Sequence, residues 1–162
     1  LIWAFGVLSI GAAAGLGAAV FGGVSSLKPY HTLFSEFAGS VGLVCFALAA
    51  LGGMFAAQFH QYGWWITLPI VSALTAVLLT DSWYLNREGQ YVVIGVLGIC
   101  SLYQLYVKPS SGLLLALGTV LLVAAGLLSE LIAAQFSFDP KNVYHVFLSF
   151  SVLSFGLFAS RE

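Results

Sequence analysis

Six apolar runs, each long enough to cross a bilayer as a helix, constrain this chain more than any other feature. They cover Leu1 to about Leu27, Leu33 to Phe59, Trp64 to Leu85, Tyr91 to Val107, Leu113 to Phe136 and Pro140 to Ser160. A helix rises about 1.5 Å per residue, so about 20 apolar residues match the hydrocarbon thickness of a membrane. Polar or helix-breaking residues separate the runs: Lys28-Pro29-Tyr30-His31-Thr32, His60-Gln61-Tyr62-Gly63, Asn86-Arg87-Glu88-Gly89, Lys108-Pro109-Ser110-Ser111-Gly112 and Ser137-Phe138-Asp139. Such short breaks force sequential helices to run antiparallel. The expectation is an all-α, polytopic integral membrane helix bundle of six spans, a single transmembrane domain over residues 1–162.

Composition agrees with lipid as the solvent. Apolar residues make up 60% of the chain and charged residues 7%, with a mean hydropathy of +1.02. A soluble domain needs far more charge to cover its outside. The net charge of −1, with no basic run, removes the electrostatic footprint of a nucleic-acid binder. The chain opens Leu-Ile-Trp with no Met, so the numbering is expected to start inside the gene product. Its first run is too long and too Gly-rich for a signal peptide and reads as a span. Lys28, Arg87 and Lys141 fall on one membrane face and Lys108 and Arg161 on the other. Three against two leaves orientation open.

Small residues recur at four-residue intervals in the first two runs: Gly11, Gly15, Ala19 and Gly23, then Ala49, Gly53 and Ala57. In lipid, where apolar burial drives nothing, such stripes let helix backbones approach closely. Helix packing is the expected role.

The polar residues carry whatever chemistry there is. Asp139 followed by Pro140 marks a helix start, a capping side chain followed by a residue with no N–H to cap. Asn142, His145 and Ser149 then form one polar stripe on an apolar helix. Alternating helix directions bring Glu36, Asp81, Glu130, His145 and Ser149 towards the same membrane face. Glu36 falls in a first helical turn, where a carboxylate complements the dipole. Asp81 and Glu130 fall in C-terminal portions, where it does not, so each needs a proton or a partner. Arg87 is the partner in reach of Asp81, and His145, across the short break, that of Glu130. His31 reads as an interfacial loop residue. His60, among Gln58, Tyr62, Trp64 and Trp65, reads as an interfacial anchor, with ligation of a metal or pigment as the alternative. Cys45 and Cys100 match no metal or redox spacing and read as buried, inert thiols. Neither a Gly-x-Ser-x-Gly elbow nor a His-Glu-x-x-His pair is present.

The run Ala14-Gly15-Leu16-Gly17-Ala18-Ala19-Val20-Phe21-Gly22-Gly23, the acid Glu36 and the segment Asn142-Val143-Tyr144-His145-Val146-Phe147-Leu148-Ser149 occur in an order that resembles the ceramidase-like superfamily of seven-helix membrane proteins. The resemblance extends to that superfamily's small uncharacterised bacterial members. It implies a seventh helix ahead of residue 1 and a zinc site near one membrane face. Phe21 and Ser149 stand where the superfamily has zinc-binding His residues, which leaves His145 as the one retained ligand and the site depleted.

Three functions are compatible with these residues. The first is a non-catalytic integral membrane protein, an accessory or scaffolding subunit whose partners are lipid and other membrane subunits. The second is a metal-dependent lipid-amide hydrolase, with zinc on His145 plus Asp81, Glu130 or Glu36. The third is a proton- or ion-coupled transporter using Asp81 and Glu130. A bound pigment or lipid is compatible with all three.

Overall fold

The computed structural model describes residues 2–55 and 85–161, and these residues are helical almost throughout. Helix α1 covers Ile2–Phe21. A 3-10 turn, Ser25–Leu27, leads into α2, Lys28–Phe37, which continues through a π-helical segment, Ala38–Gly42, into α3, Leu43–Phe55. Helix α4 covers Arg87–Val107, α5 Pro109–Phe136 and α6 Pro140–Ala159. Among the described residues five helical stretches are long and apolar enough to cross a membrane: Ile2–Phe21, the continuous Ser25–Phe55, Arg87–Val107, Pro109–Phe136 and Pro140–Ala159. The third expected span, up to residue 84, and the last residues of the second, 56–59, lie outside the described residues.

The breaks differ from those expected. Residues 28–32 are not a loop; they open α2, with Pro29 in its first turn. Proline there gives up an N–H that no helix position would have bonded. The chain turns earlier, at Gly22-Gly23, where Gly23 adopts φ 106°, a conformation that favours glycine. Residues 87–89 likewise belong to a helix. Asn86 caps α4, its Oδ1 accepting from Gly89 N at 2.9 Å, while Gln90 Nε2 donates to Leu85 O at 3.1 Å. Between α4 and α5 only Lys108 departs from helical geometry, with φ −137°. Gly112 makes that corner possible, because a Cβ there would run into the backbone of Gln104 and Leu105. The last break is as expected. Ser137, left-handed at φ 56°, closes α5, and Asp139 caps α6 by accepting from Lys141 N at 2.9 Å.

The chain divides into two compact units, Leu1–Val93 and Ile94–Glu162. In the first, α1 buries Gly6, Ser9, Ala13 and Gly17. Gly6 makes room for the Phe46 ring, since a Cβ there would lie 2.8 Å from it, and Trp3 packs on the same ring at 5.7 Å. The expected stripe is therefore displaced: Gly11 and Gly15 are exposed, with open space where a Cβ would stand. Phe46 and the ring of His31 are too wide for any but the smallest facing residue, and they decide which small face turns inward. In the second helix Ala49 is buried as expected, and Ala57 lies outside the described residues. Ser40, in the π segment and 1% exposed, accepts a hydrogen bond from Leu85 N at 2.7 Å, which pins the approach to α4.

In the second unit, α5 and α6 form an antiparallel hairpin. Gly118 receives the Phe155 ring, with the ring edge 2.5 Å from where a Cβ would be. Ser151 Oγ donates to Gly118 O at 2.7 Å. On the neighbouring side Ser101 of α4 and Thr119 of α5 place their hydroxyls 3.0 Å apart, and each also bonds a carbonyl of its own helix. Leu97, Cys100, Leu115, Ala125, Ala133, Phe155 and Phe158 make the buried apolar set.

Candidate functional site

The polar residues expected to converge lie mainly on the outside. Glu36 is exposed on α2, whose start at Lys28 leaves it two turns inside the helix rather than in a first turn. Its dipole rationale is lost with that shift. Glu130 is exposed on α5, among the exposed Leu127, Leu128 and Leu131. His145 is exposed on α6, its ring edge-on to Tyr144 at 5.5 Å. Ser149 is exposed too, and its hydroxyl is spent within its own helix, donating to His145 O at 2.7 Å. Among the described residues no direct hydrogen bond or ion pair joins Glu130 to His145, for which a direct or water-bridged bond was expected.

The polar stripe on α6 is real as a helix face, but that face points outward. Ser151, Ser154, Phe155 and Phe158 occupy the inner face, and Asn142, His145 and Ser149 fall on the far side at helical spacing. Sequence periodicity finds a stripe without saying which way it faces. Bulk decides here: two phenylalanines bury more apolar area than the polar stripe does.

His31 is the residue that sequence reasoning misjudged. It lies on α2, half-buried, with Nδ1 3.1 Å from Ala13 O. A carbonyl only accepts, so Nδ1 carries the proton and Nε2 is the nitrogen with the free lone pair. Ser35 Oγ stands 3.4 Å from the same Nδ1. The ring lies over Gly17, where a Cβ would come within 2.9 Å of Cε1, and Phe21 packs against it at 6.3 Å. Pro29 two positions earlier was the available signal: it opens a helix and places His31 in the first turn.

Arg87, the expected partner of Asp81, donates from Nε to Tyr91 OH at 2.7 Å, with its guanidinium 5.7 Å from that ring's centre. Asp81 and His60 lie outside the described residues. Cys100 is buried and Cys45 half-buried, both as free thiols. Among the described residues no three His, Cys, Asp or Glu side chains are grouped to hold a metal ion. Compared with known proteins, the chain matches no family model, no curated protein and no solved structure.

Proposed function

We propose that this chain is a non-catalytic integral membrane protein, an accessory or scaffolding subunit of a larger membrane complex. One observation carries the reading: Glu36, Glu130 and His145 all lie on the outer surface of the helices. Catalysis needs its acid, base or ligands within hydrogen-bond reach of one another and of a reacting atom. Ionisable groups within membrane spans are costly unless something answers them, and on an outer surface the answer comes from a neighbour. The interior, by contrast, is occupied by hydroxyls that bond backbone carbonyls, as Ser9, Ser101, Thr119, Ser151 and Ser154 do. Of these bonds Ser151 to Gly118 O joins α6 to α5, Ser101 and Thr119 also meet each other between α4 and α5, and the rest stay within one helix. Such an arrangement is suited to holding helices together rather than to transforming a substrate. The open Gly11 and Gly15 positions on α1 agree with it, because small residues are what a further helix packs against.

The test is extraction from native membranes in a polymer that keeps a lipid annulus, followed by affinity purification and mass spectrometry. A partner membrane protein in fixed ratio is the expected result. Recovery of the chain without one, carrying about one zinc per chain and hydrolysing lipid amides in a way that His145→Ala abolishes, would replace this reading with the hydrolase.

A further inference from the structure

The turn between α5 and α6 carries its apolar groups on the outside. Ser137, Phe138 and Asp139 stand between Phe136, the last residue of α5, and Pro140, the first of α6. Phe136 and Phe138 are 59% and 61% exposed, and their rings stack at 6.1 Å with 20° between their planes. The backbone of this turn asks little of water. Ser137 N and Phe138 N donate to Ala133 O. Lys141 N donates to Asp139 Oδ1, and Asn142 N and Val143 N donate to Asp139 O. Pro140 has no N–H to offer. The donors that a helix start ordinarily leaves for water are therefore taken up within the chain.

We propose that the Phe136–Phe138 patch inserts into the membrane where acyl chains meet headgroups, with its rings among the acyl chains and Asp139 and Lys141 among the headgroups. Depth agrees with this. The 20 residues of α6 cover about 30 Å, the hydrocarbon thickness of a bilayer, so Pro140 lies at its edge. The kind of ring agrees too, because phenylalanine lacks the polar handle that suits tyrosine and tryptophan to the headgroup level. Lipid is the occupant because of the backbone. Acyl chains answer no N–H, so a turn beside them must satisfy its own donors, a demand that neither water nor a protein partner makes. The exposed Asp139 and Lys141 limit the depth: a carboxylate that caps a helix stays near water, and a lysine reaches out to it along its apolar stem. The carbonyls that end α5 have no helical partner and meet water at the same level. The patch thus fixes how deep the α5–α6 hairpin sits, whether or not the chain also joins a larger assembly.

Fluorine NMR of the full chain in phosphatidylcholine nanodiscs tests it, with trifluoromethyl-phenylalanine placed at position 136 or 138. Dissolved oxygen concentrates among acyl chains, whereas a nickel chelate stays in water. Oxygen should raise the relaxation rate of both signals more than the chelate does. A larger effect of the chelate would put the turn in water, and no effect of either reagent would mean that protein covers the rings. Each of those results overturns the proposal. A second measurement identifies the neighbour directly. Benzoylphenylalanine at position 138, irradiated in phosphatidylcholine vesicles, should attach to lipid. Attachment to a second copy of the chain, with no lipid adduct, would overturn the proposal as well.

Discussion

Replacing Gly118 by alanine tests the packing of α5 on α6 by the sign of its effect. Alanine is the better helix former by about 1 kcal/mol, so a glycine in open space should gain from the change. At position 118 the new methyl would lie 2.5 Å and 2.6 Å from two carbons of the Phe155 ring and 3.2 Å from Ser151 O. Carbon atoms in contact prefer about 3.5–4.0 Å, so the ring or the helix must move by about 1 Å. Phe155 is 0% exposed and has nowhere to swing, which leaves separation of the helices. Overpacking of this kind costs about 1–3 kcal/mol, and loss of the Ser151 bond adds about 0.6 kcal/mol. After the alanine gain is subtracted, Gly118→Ala should be about 1–2 kcal/mol less stable. Reversible unfolding in mixed detergent–lipid micelles, titrated with dodecyl sulfate, measures this. Phe155→Ala removes the clash, and the double variant should be more stable than the sum of the two single losses. A Gly118→Ala variant at least as stable as wild type would refute the close approach.

The same contrast holds on α1: Gly6→Ala should destabilise by about 1–3 kcal/mol through Phe46, whereas Gly15→Ala should be neutral or gain up to about 1 kcal/mol, both read by the same titration. Asp139→Ala should lose about 1 kcal/mol as the cap of α6, and Asp139→Asn should retain most of that stability. Nitrogen-15 NMR of histidine-labelled protein at a pH where His31 is neutral should find the proton on Nδ1. His31→Phe should cost about 1 kcal/mol for the lost bond to Ala13 O.

Much of the fold was legible because helices long and apolar enough to cross a membrane announce themselves by length and composition. Lipid satisfies no backbone group, so an apolar run of span length has helix as its simple solution. Asp139-Pro140 was readable for a local reason as well, since a cap and a first-turn proline act on their own backbone. Lys28-Pro29 and Lys108-Pro109 carry the same signal, but their polarity invited reading as loops. They open helices because proline is costly inside a helix and harmless at its start.

The candidate site was less legible. Asn142, His145 and Ser149 do share one stripe of α6, but no direct hydrogen bond joins Glu130 to His145 among the described residues. The sequence by itself determined a chain of helices long and apolar enough to span a membrane, the α6 cap and the set of small residues available for close packing. Tertiary structure decided which of those small residues were used. Phe46, His31 and Phe155 claimed Gly6, Gly17 and Gly118, leaving Gly11 and Gly15 open. It also decided that the polar stripe of α6 faces outward. The physical reason is that periodicity fixes which residues share a helix face, whereas the direction of that face depends on side chains distant in sequence competing for the same contact.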